Sequence, residues 1–137
     1  MKAYLLGYGG AALAMLCLDA IWLTLAANAL YRPLLGDIMA PGFRAAPAVI
    51  FYAIYVVGIV VFAVNPALIA GRWATAAIYG ALLGFFCYAT YDLTNQATLR
   101  NWSTTVTIVD MTWGVLLTAC AATAGYFAAS SLAPSGG

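Results

Sequence analysis

The chain has 137 residues, of which 66% are hydrophobic and only 7% are charged, and its formal net charge is +1. A water-soluble domain carries roughly 25% charged residues. The few charged side chains of this chain cannot cover a water-exposed surface, so a soluble domain is excluded. The near-zero net charge and the lack of a basic run exclude a nucleic-acid-binding surface. Three widely spaced cysteines and no histidine give no pattern for a zinc or haem site, so no metal and no cofactor are expected.

Four apolar stretches are each long enough to cross a membrane as a helix. In chain order they cover about residues 3–30, 46–64, 73–93 and 104–129. A helix needs about 20 residues to cross the hydrocarbon, and the stretches lack the period of two that membrane barrels show. The sequence therefore predicts an all-α membrane protein, a four-transmembrane-helix bundle. It forms one domain of residues 1–132, followed by a flexible tail at residues 133–137.

The first span contains an acidic residue well inside its apolar run. Asp19 is followed one turn later by Trp22, so the two side chains share a helix face, and Asn28 lies near the end of the span. A charged side chain at the bilayer centre costs roughly 2.5–3.5 kcal/mol on insertion scales, so such residues usually face a bundle interior or a wet cavity. Asp19 therefore indicates a functional site.

The second and third spans carry signals for a helix end and for close packing. Span two should end at Asn65–Pro66, because the residue before a proline avoids the helical region. In span three, Gly80 and Gly84 form a GxxxG pair. Small residues at this spacing let helix backbones approach closely in a membrane, so we expect a helix–helix contact there.

The third span ends in a group of polar and aromatic residues. Asp92 lies one turn after Tyr88 and directly after Tyr91, and Asn95 follows within the next turn. Residues three or four apart are neighbours on a helix surface. Tyr88 and Asn95 are therefore expected beside the carboxyl group, and Tyr88 and Tyr91 are expected to wall the pocket together with Trp22 and Trp113.

The fourth span repeats the pairing of an aspartate with a tryptophan. Asp110 precedes Trp113 by three residues and follows Thr107 by three, so all three are expected on one face. Thr107 could donate a hydrogen bond from its hydroxyl to the carboxylate.

Topology brings the three acids to one side of the membrane. We call the side of the N-terminus side A and the opposite side, where span one ends, side B. Span three ends on side B and span four begins there, so all three acids lie in the B-side half, within about 10 Å of one another in depth at 1.5 Å per residue. The sequence predicts one cluster that binds a ligand or protons. The candidate residues are Asp19, Asp92, Asp110, Trp22, Trp113, Tyr88, Tyr91, Asn95, Thr107 and Asn28.

A purely structural role for the acids is the alternative. Asp92 and Asp110 lie close enough to span ends to cap helices, and Arg32 or Arg100 could pair with them. Asp19 argues against this interpretation, because it has no helix end to cap.

A distinctive block of the third span runs from Tyr88 to Leu99 and reads YATYDLTNQATL. In this block the chain resembles the family of small bacterial integral-membrane proteins called domain of unknown function 2177. Ser103 departs from the pattern, in which proline follows the tryptophan, and this affects only the shape of the loop. The resemblance covers nearly the whole chain. It implies a four-helix protein of the bacterial inner (cytoplasmic) membrane and no established activity, substrate or cofactor. Other matching segments are Asp19–Leu23, Tyr31 with Leu35–Gly36, Phe51–Tyr52 and Asp110–Gly114.

Three classes of function fit these observations. The first is binding or transport of a small or lipid-like molecule, with the aspartates holding a cationic or hydroxylated group or carrying protons. The second is an enzyme that modifies a lipid or isoprenoid, with the acids as general acid and base or as ligands of Mg²⁺ at a lipid phosphate. The third is an accessory subunit whose site a larger partner or a second copy in a homo-oligomer completes. We rank binding or transport first and assign no catalytic residue.

Overall fold

The computed structural model describes residues 1–131, which form four long helices. Each helix is long and apolar enough to cross a membrane, and residues 1–131 contain no strand. The predicted four-helix, all-α membrane architecture is therefore confirmed. The tail predicted at residues 133–137 lies outside the described residues. The helices are helix 1 (Lys2–Ile38), helix 2 (Ala45–Ala70), helix 3 (Trp73–Thr98) and helix 4 (Thr104–Ser130).

Helix 4 packs extensively against both helix 1 and helix 3, and helix 2 completes the bundle mainly through its second half. The fully buried side chains include Met15 of helix 1, Ile59 of helix 2 and Leu117 of helix 4. Large apolar side chains such as Leu13 and Phe62 are exposed on the outer faces. A bundle that is apolar outside as well as inside is suited to a lipid surrounding.

Helices 3 and 4 approach each other closely at the two glycines of the GxxxG pair. A Cβ atom at Gly80 would lie 2.7 Å from the carbonyl oxygen of Thr118, and one at Gly84 would overlap the carbonyl group of Gly114. Neither position has room for a side chain, so the backbones are in direct contact. The contact predicted for these glycines is confirmed.

Two prolines lie inside helices instead of ending them. Helix 1 passes through Pro33 after a π-helical turn at Ala27–Tyr31, and helix 2 passes through Pro66 after one at Val60–Val64. A proline inside a helix lacks an N–H and its ring clashes with the preceding turn, which a widened turn can relieve. Asn65 keeps helical angles, with φ −60° and ψ −49°.

Helices 1, 2 and 3 are longer than the membrane spans that the sequence predicts. Helix 1 continues to Ile38 instead of ending near residue 30, and helix 2 continues to Ala70 instead of ending before Pro66. Helix 3 also runs on to Thr98, past the end predicted near residue 93. The helix end predicted at Asn65–Pro66 is therefore wrong, because the π-helical turn before Pro66 lets helix 2 continue. The predicted spans stay predictions, since a helix can extend beyond the membrane.

Candidate functional site

Asp19 joins three helices through its carboxylate. Its side chain belongs to helix 1 and is 8% exposed. The hydroxyl of Tyr52, in helix 2, donates a hydrogen bond to Asp19 Oδ2. Trp113 Nε1, in helix 4, donates to Asp19 Oδ1 at 3.2 Å. Both oxygens of this buried acid therefore have a donor.

Asp110 is held by a chain of two hydrogen bonds from helix 1. Trp22 Nε1 donates to the hydroxyl oxygen of Tyr31 at 2.9 Å, and that hydroxyl donates to Asp110 Oδ1 at 2.6 Å. The direction is fixed, because an indole can only donate and a tyrosine hydroxyl has one proton to give. Asp110 Oδ2 makes no hydrogen bond to any residue in the described part of the chain.

The two tryptophans connect these bonds into one unit. The rings of Trp22 and Trp113 are stacked, with centroids 4.6 Å apart and planes at 10°. Such pairs contribute about 0.5–1.5 kcal/mol beyond the area they bury. Each tryptophan is linked to the acid of the other helix. Trp113 donates a hydrogen bond to Asp19, and Trp22 is linked to Asp110 through the hydroxyl of Tyr31. We call these five residues together with Tyr52 the Asp19–Asp110 network.

Asp92 is enclosed but stands outside that network. Its exposed fraction is 0%, and neither carboxyl oxygen has a hydrogen-bond partner. It lies near enough to Asp110 for the charge of that residue to act on it. The three acids that were predicted to cluster therefore differ: Asp19 and Asp110 accept hydrogen bonds from the aromatic residues of one network, and Asp92 has no hydrogen-bond partner.

An apolar cavity of about 290 Å³ lies between helices 2 and 3. Tyr91 is 60% exposed and Phe51 is 44% exposed, so the cavity opens on the lateral face of the bundle. The ring of Tyr88 lines this cavity and lies against Gly114 of helix 4, the residue after Trp113, so the cavity is next to the network. The residues that line the cavity are Phe51, Tyr55, Cys87, Tyr88 and Tyr91.

Three of the predicted candidates make no hydrogen bond to the three buried acids in the described part of the chain. The hydroxyl of Thr107 accepts a hydrogen bond from Trp102 Nε1 at 2.9 Å, and no bond from it to Asp110 occurs within residues 1–131. Asn28 is exposed and Asn95 is half-buried, and neither has a side-chain hydrogen bond to another described residue. The structure therefore does not bring Thr107, Asn28 or Asn95 to the network.

Helix capping does not explain the buried acids. Asp92 and Asp110 lie inside helices 3 and 4, whose N-cap residues are Arg72 and Ser103. The donors to the carboxylates of Asp19 and Asp110 are tyrosine and tryptophan, not arginine. No group of three or more His, Cys, Asp or Glu side chains assembles in the described residues, so the carboxylate ligands of the Mg²⁺ hypothesis are not brought together.

Sequence reasoning missed the tyrosines that complete the network. Tyr31 and Tyr52 were not among the candidates, although both lie in segments that match the family pattern. The signal that could have found them is a phenol within an apolar span, which needs a hydrogen-bond partner when it is buried. Tyr55 gave the same signal and was also missed; its buried hydroxyl pairs with Thr118 Oγ1 at 2.8 Å. Phe51 and Cys87 gave no such signal, because an apolar cavity depends on how the helices pack.

Comparison with known proteins identifies the family. No curated protein and no solved structure matches the chain. The model of a family described as "Predicted membrane protein (DUF2177)" matches residues 4–127, a range that includes all three buried acids. The chain therefore belongs to this family of membrane proteins of unknown function, as the block from Tyr88 to Leu99 indicated.

Proposed function

We propose that the protein binds an amphiphilic, lipid-like molecule within the bacterial inner membrane. The polar end of this molecule donates a hydrogen bond to Asp110, and its apolar part fills the cavity between helices 2 and 3. The observation that carries the proposal is an acid with a free acceptor oxygen in a network that lies beside an apolar, laterally open cavity.

The polar end of the ligand is a hydroxyl or an ammonium group. Asp19 already accepts a hydrogen bond at each oxygen, whereas Asp110 accepts one at Oδ1 and keeps Oδ2 free. A hydrogen bond to a charged acceptor contributes roughly 1.5–3 kcal/mol. Tyr31 and the stacked tryptophans hold the carboxylate in place before the ligand arrives, which lowers the cost of ordering the site.

The apolar end of the ligand is a hydrocarbon chain. Pockets that enclose a drug-sized ligand measure roughly 300–1,000 Å³, so a cavity of about 290 Å³ holds part of a chain. The lateral opening lets the remainder stay in the bilayer. Binding is favoured over transport by a single bundle, because the A-side half is closely packed around Ala11, Ala63 and Ala121, which are fully buried.

Photocrosslinking in lipid nanodiscs tests the polar contact. The probes are a long-chain alcohol and the corresponding amine, each with a diazirine in the chain, and the alkane of equal length serves as reference. Asp110→Asn should weaken labelling about 10- to 100-fold, because it removes a charged acceptor worth roughly 1.5–3 kcal/mol. Asp37→Asn makes the same chemical change at an exposed acid and should leave labelling unchanged.

A second arm of the same experiment tests the cavity. Cys87→Phe fills the space with a ring and should reduce labelling by about tenfold, equivalent to a loss of about 1.4 kcal/mol. Cys120→Phe is the matched control, because Cys120 is also an exposed free thiol and does not line the cavity. Equal labelling by the alkane and the alcohol, or parental labelling in both Asp110→Asn and Cys87→Phe, would contradict the proposed function.

A further inference from the structure

Asp92 is a buried acid that the ligand-binding proposal does not use. Its exposed fraction is 0%, and both carboxyl oxygens are enclosed with no hydrogen-bond donor. We propose that Asp92 is a proton-binding site: it holds a proton while helices 3 and 4 are closed around it and exchanges that proton with water on side B. This site is separate from the Asp19–Asp110 network and does not depend on a ligand.

The hydrogen-bond geometry distinguishes Asp92 from the other two buried acids. Asp19 accepts hydrogen bonds at both oxygens, one from an indole N–H that can only donate, and Asp110 accepts a hydrogen bond from the Tyr31 hydroxyl. Both arrangements suit a carboxylate. Asp92 receives no donor, and an isolated charge in an apolar surrounding is so costly that the group neutralises instead. A carboxylic acid that keeps its proton fits this position.

The register of helices 3 and 4 shows what faces Asp92. Gly84 meets Gly114 at one contact, and Gln96 Nε2 donates to Thr104 Oγ1 at 2.8 Å at another. Asp92 lies between these contacts, so it is opposite the turn of helix 4 at residues 106–110. In that turn Val106 is fully buried and Thr107 is 3% exposed. The hydroxyl of Thr107 accepts a hydrogen bond from Trp102 Nε1 and gives none to Asp92.

Few titratable groups act on Asp92. Asp110 faces it from helix 4, and Tyr91 precedes it on its own helix. Helices 1 and 2 contribute no group whose charge acts on it within residues 1–131. Arg100 is exposed beyond the end of helix 3. Asp92 is therefore enclosed without a hydrogen-bond donor and has a second acid nearby, and two neighbouring carboxyl groups do not both ionise readily.

A short polar segment separates Asp92 from side B. From Asp92 to the end of helix 3 at Thr98 the helix rises about 9 Å, and Asn95 and Gln96 in this segment are half-buried. Helix ends open locally at low cost. When they open, the O–H bond breaks, a water molecule takes the proton, and a carboxylate remains.

Infrared spectroscopy of the full chain in nanodiscs tests the inference. At neutral pH the parent protein should show the carbonyl stretch of one protonated carboxylic acid, and ¹³C labelling of aspartate should shift it. Asp92→Asn should abolish the band, whereas Asp37→Asn should leave it intact. The band should move slowly in D₂O, because the group is enclosed.

Elimination covers the case in which Asp92→Asn does not fold. The four acidic residues of the chain are all aspartates, so a band that keeps its full intensity in Asp19→Asn, Asp37→Asn and Asp110→Asn alike belongs to Asp92. A parent spectrum without the band, or a band that persists in folded Asp92→Asn, would overturn the assignment. Neither result depends on ligand binding, so this test is independent of the proposed function.

Discussion

Asp19→Leu should lower the free energy of unfolding by about 2–5 kcal/mol. The substitution leaves the hydroxyl of Tyr52 and the indole N–H of Trp113, two half-buried residues, without an acceptor. Each buried polar group that loses its partner costs roughly 1–3 kcal/mol. Reversible unfolding in mixed micelles of a mild detergent and sodium dodecyl sulfate, followed by tryptophan fluorescence, measures the change.

Two milder variants identify the source of this loss. Asp19→Asn keeps a carbonyl acceptor and should lose less, and Tyr52→Phe should cost about 1 kcal/mol, since it removes a single hydrogen bond. A stability of Asp19→Leu equal to that of the parent would mean that the carboxylate does not join the three helices.

Asp92→Leu should have the opposite effect and raise the free energy of unfolding by about 1–3 kcal/mol. Both oxygens of Asp92 are buried without partners, so the native protein bears a desolvation cost that an apolar side chain of similar shape removes. The same mixed-micelle titration measures the gain. The variant should also lack the infrared band of a protonated acid.

The contrast between these substitutions separates structural from functional acids. The chemical change is the same at Asp19 and Asp92, yet the expected signs differ because only Asp19 has donors. A buried acid that lowers the free energy of unfolding and makes no hydrogen bond is a candidate for a functional role, because strained or unsatisfied groups often occur at functional sites. Destabilisation by Asp92→Leu comparable to that by Asp19→Leu would mean that Asp92 has a partner and a structural role.

The helices and the buried acids could be predicted from the sequence because both follow from local composition. Hydropathy over about 20 residues sets the spans, and the cost of charge in hydrocarbon indicates that Asp19 and Asp110 face inward. The ends of helices 1 and 2 could not be predicted in this way. Pro33 and Pro66 look like terminators, but π-helical turns absorb their steric clash and the helices continue.

The hydrogen-bond partners within the site were beyond local reasoning. Spacing by three residues predicts that each tryptophan shares a face with the acid of its own helix, Trp22 with Asp19 and Trp113 with Asp110. The hydrogen bonds to the acids, however, cross the helix 1–helix 4 interface: Trp113 Nε1 donates to Asp19, and Trp22 Nε1 donates within helix 1 to Tyr31, whose hydroxyl donates to Asp110. Such an exchange depends on how two helices face each other. The residue pattern on one helix surface does not predict which residues of the neighbouring helix it contacts.

Solid-state NMR in bilayers tests most directly the claim that Asp19 and Asp110 belong to one network of aromatic donors. The chain has four tryptophans and four acidic residues, so ¹⁵N-indole tryptophan combined with ¹³C-carboxyl aspartate gives an uncrowded correlation spectrum. We predict a contact between Trp113 Nε1 and the Asp19 carboxyl carbon, absent in Asp19→Asn, and a Trp22 indole close to Asp110 through Tyr31. Indole nitrogens with no aspartate carboxyl within reach would contradict the account, because the acids would then face lipid headgroups or water separately.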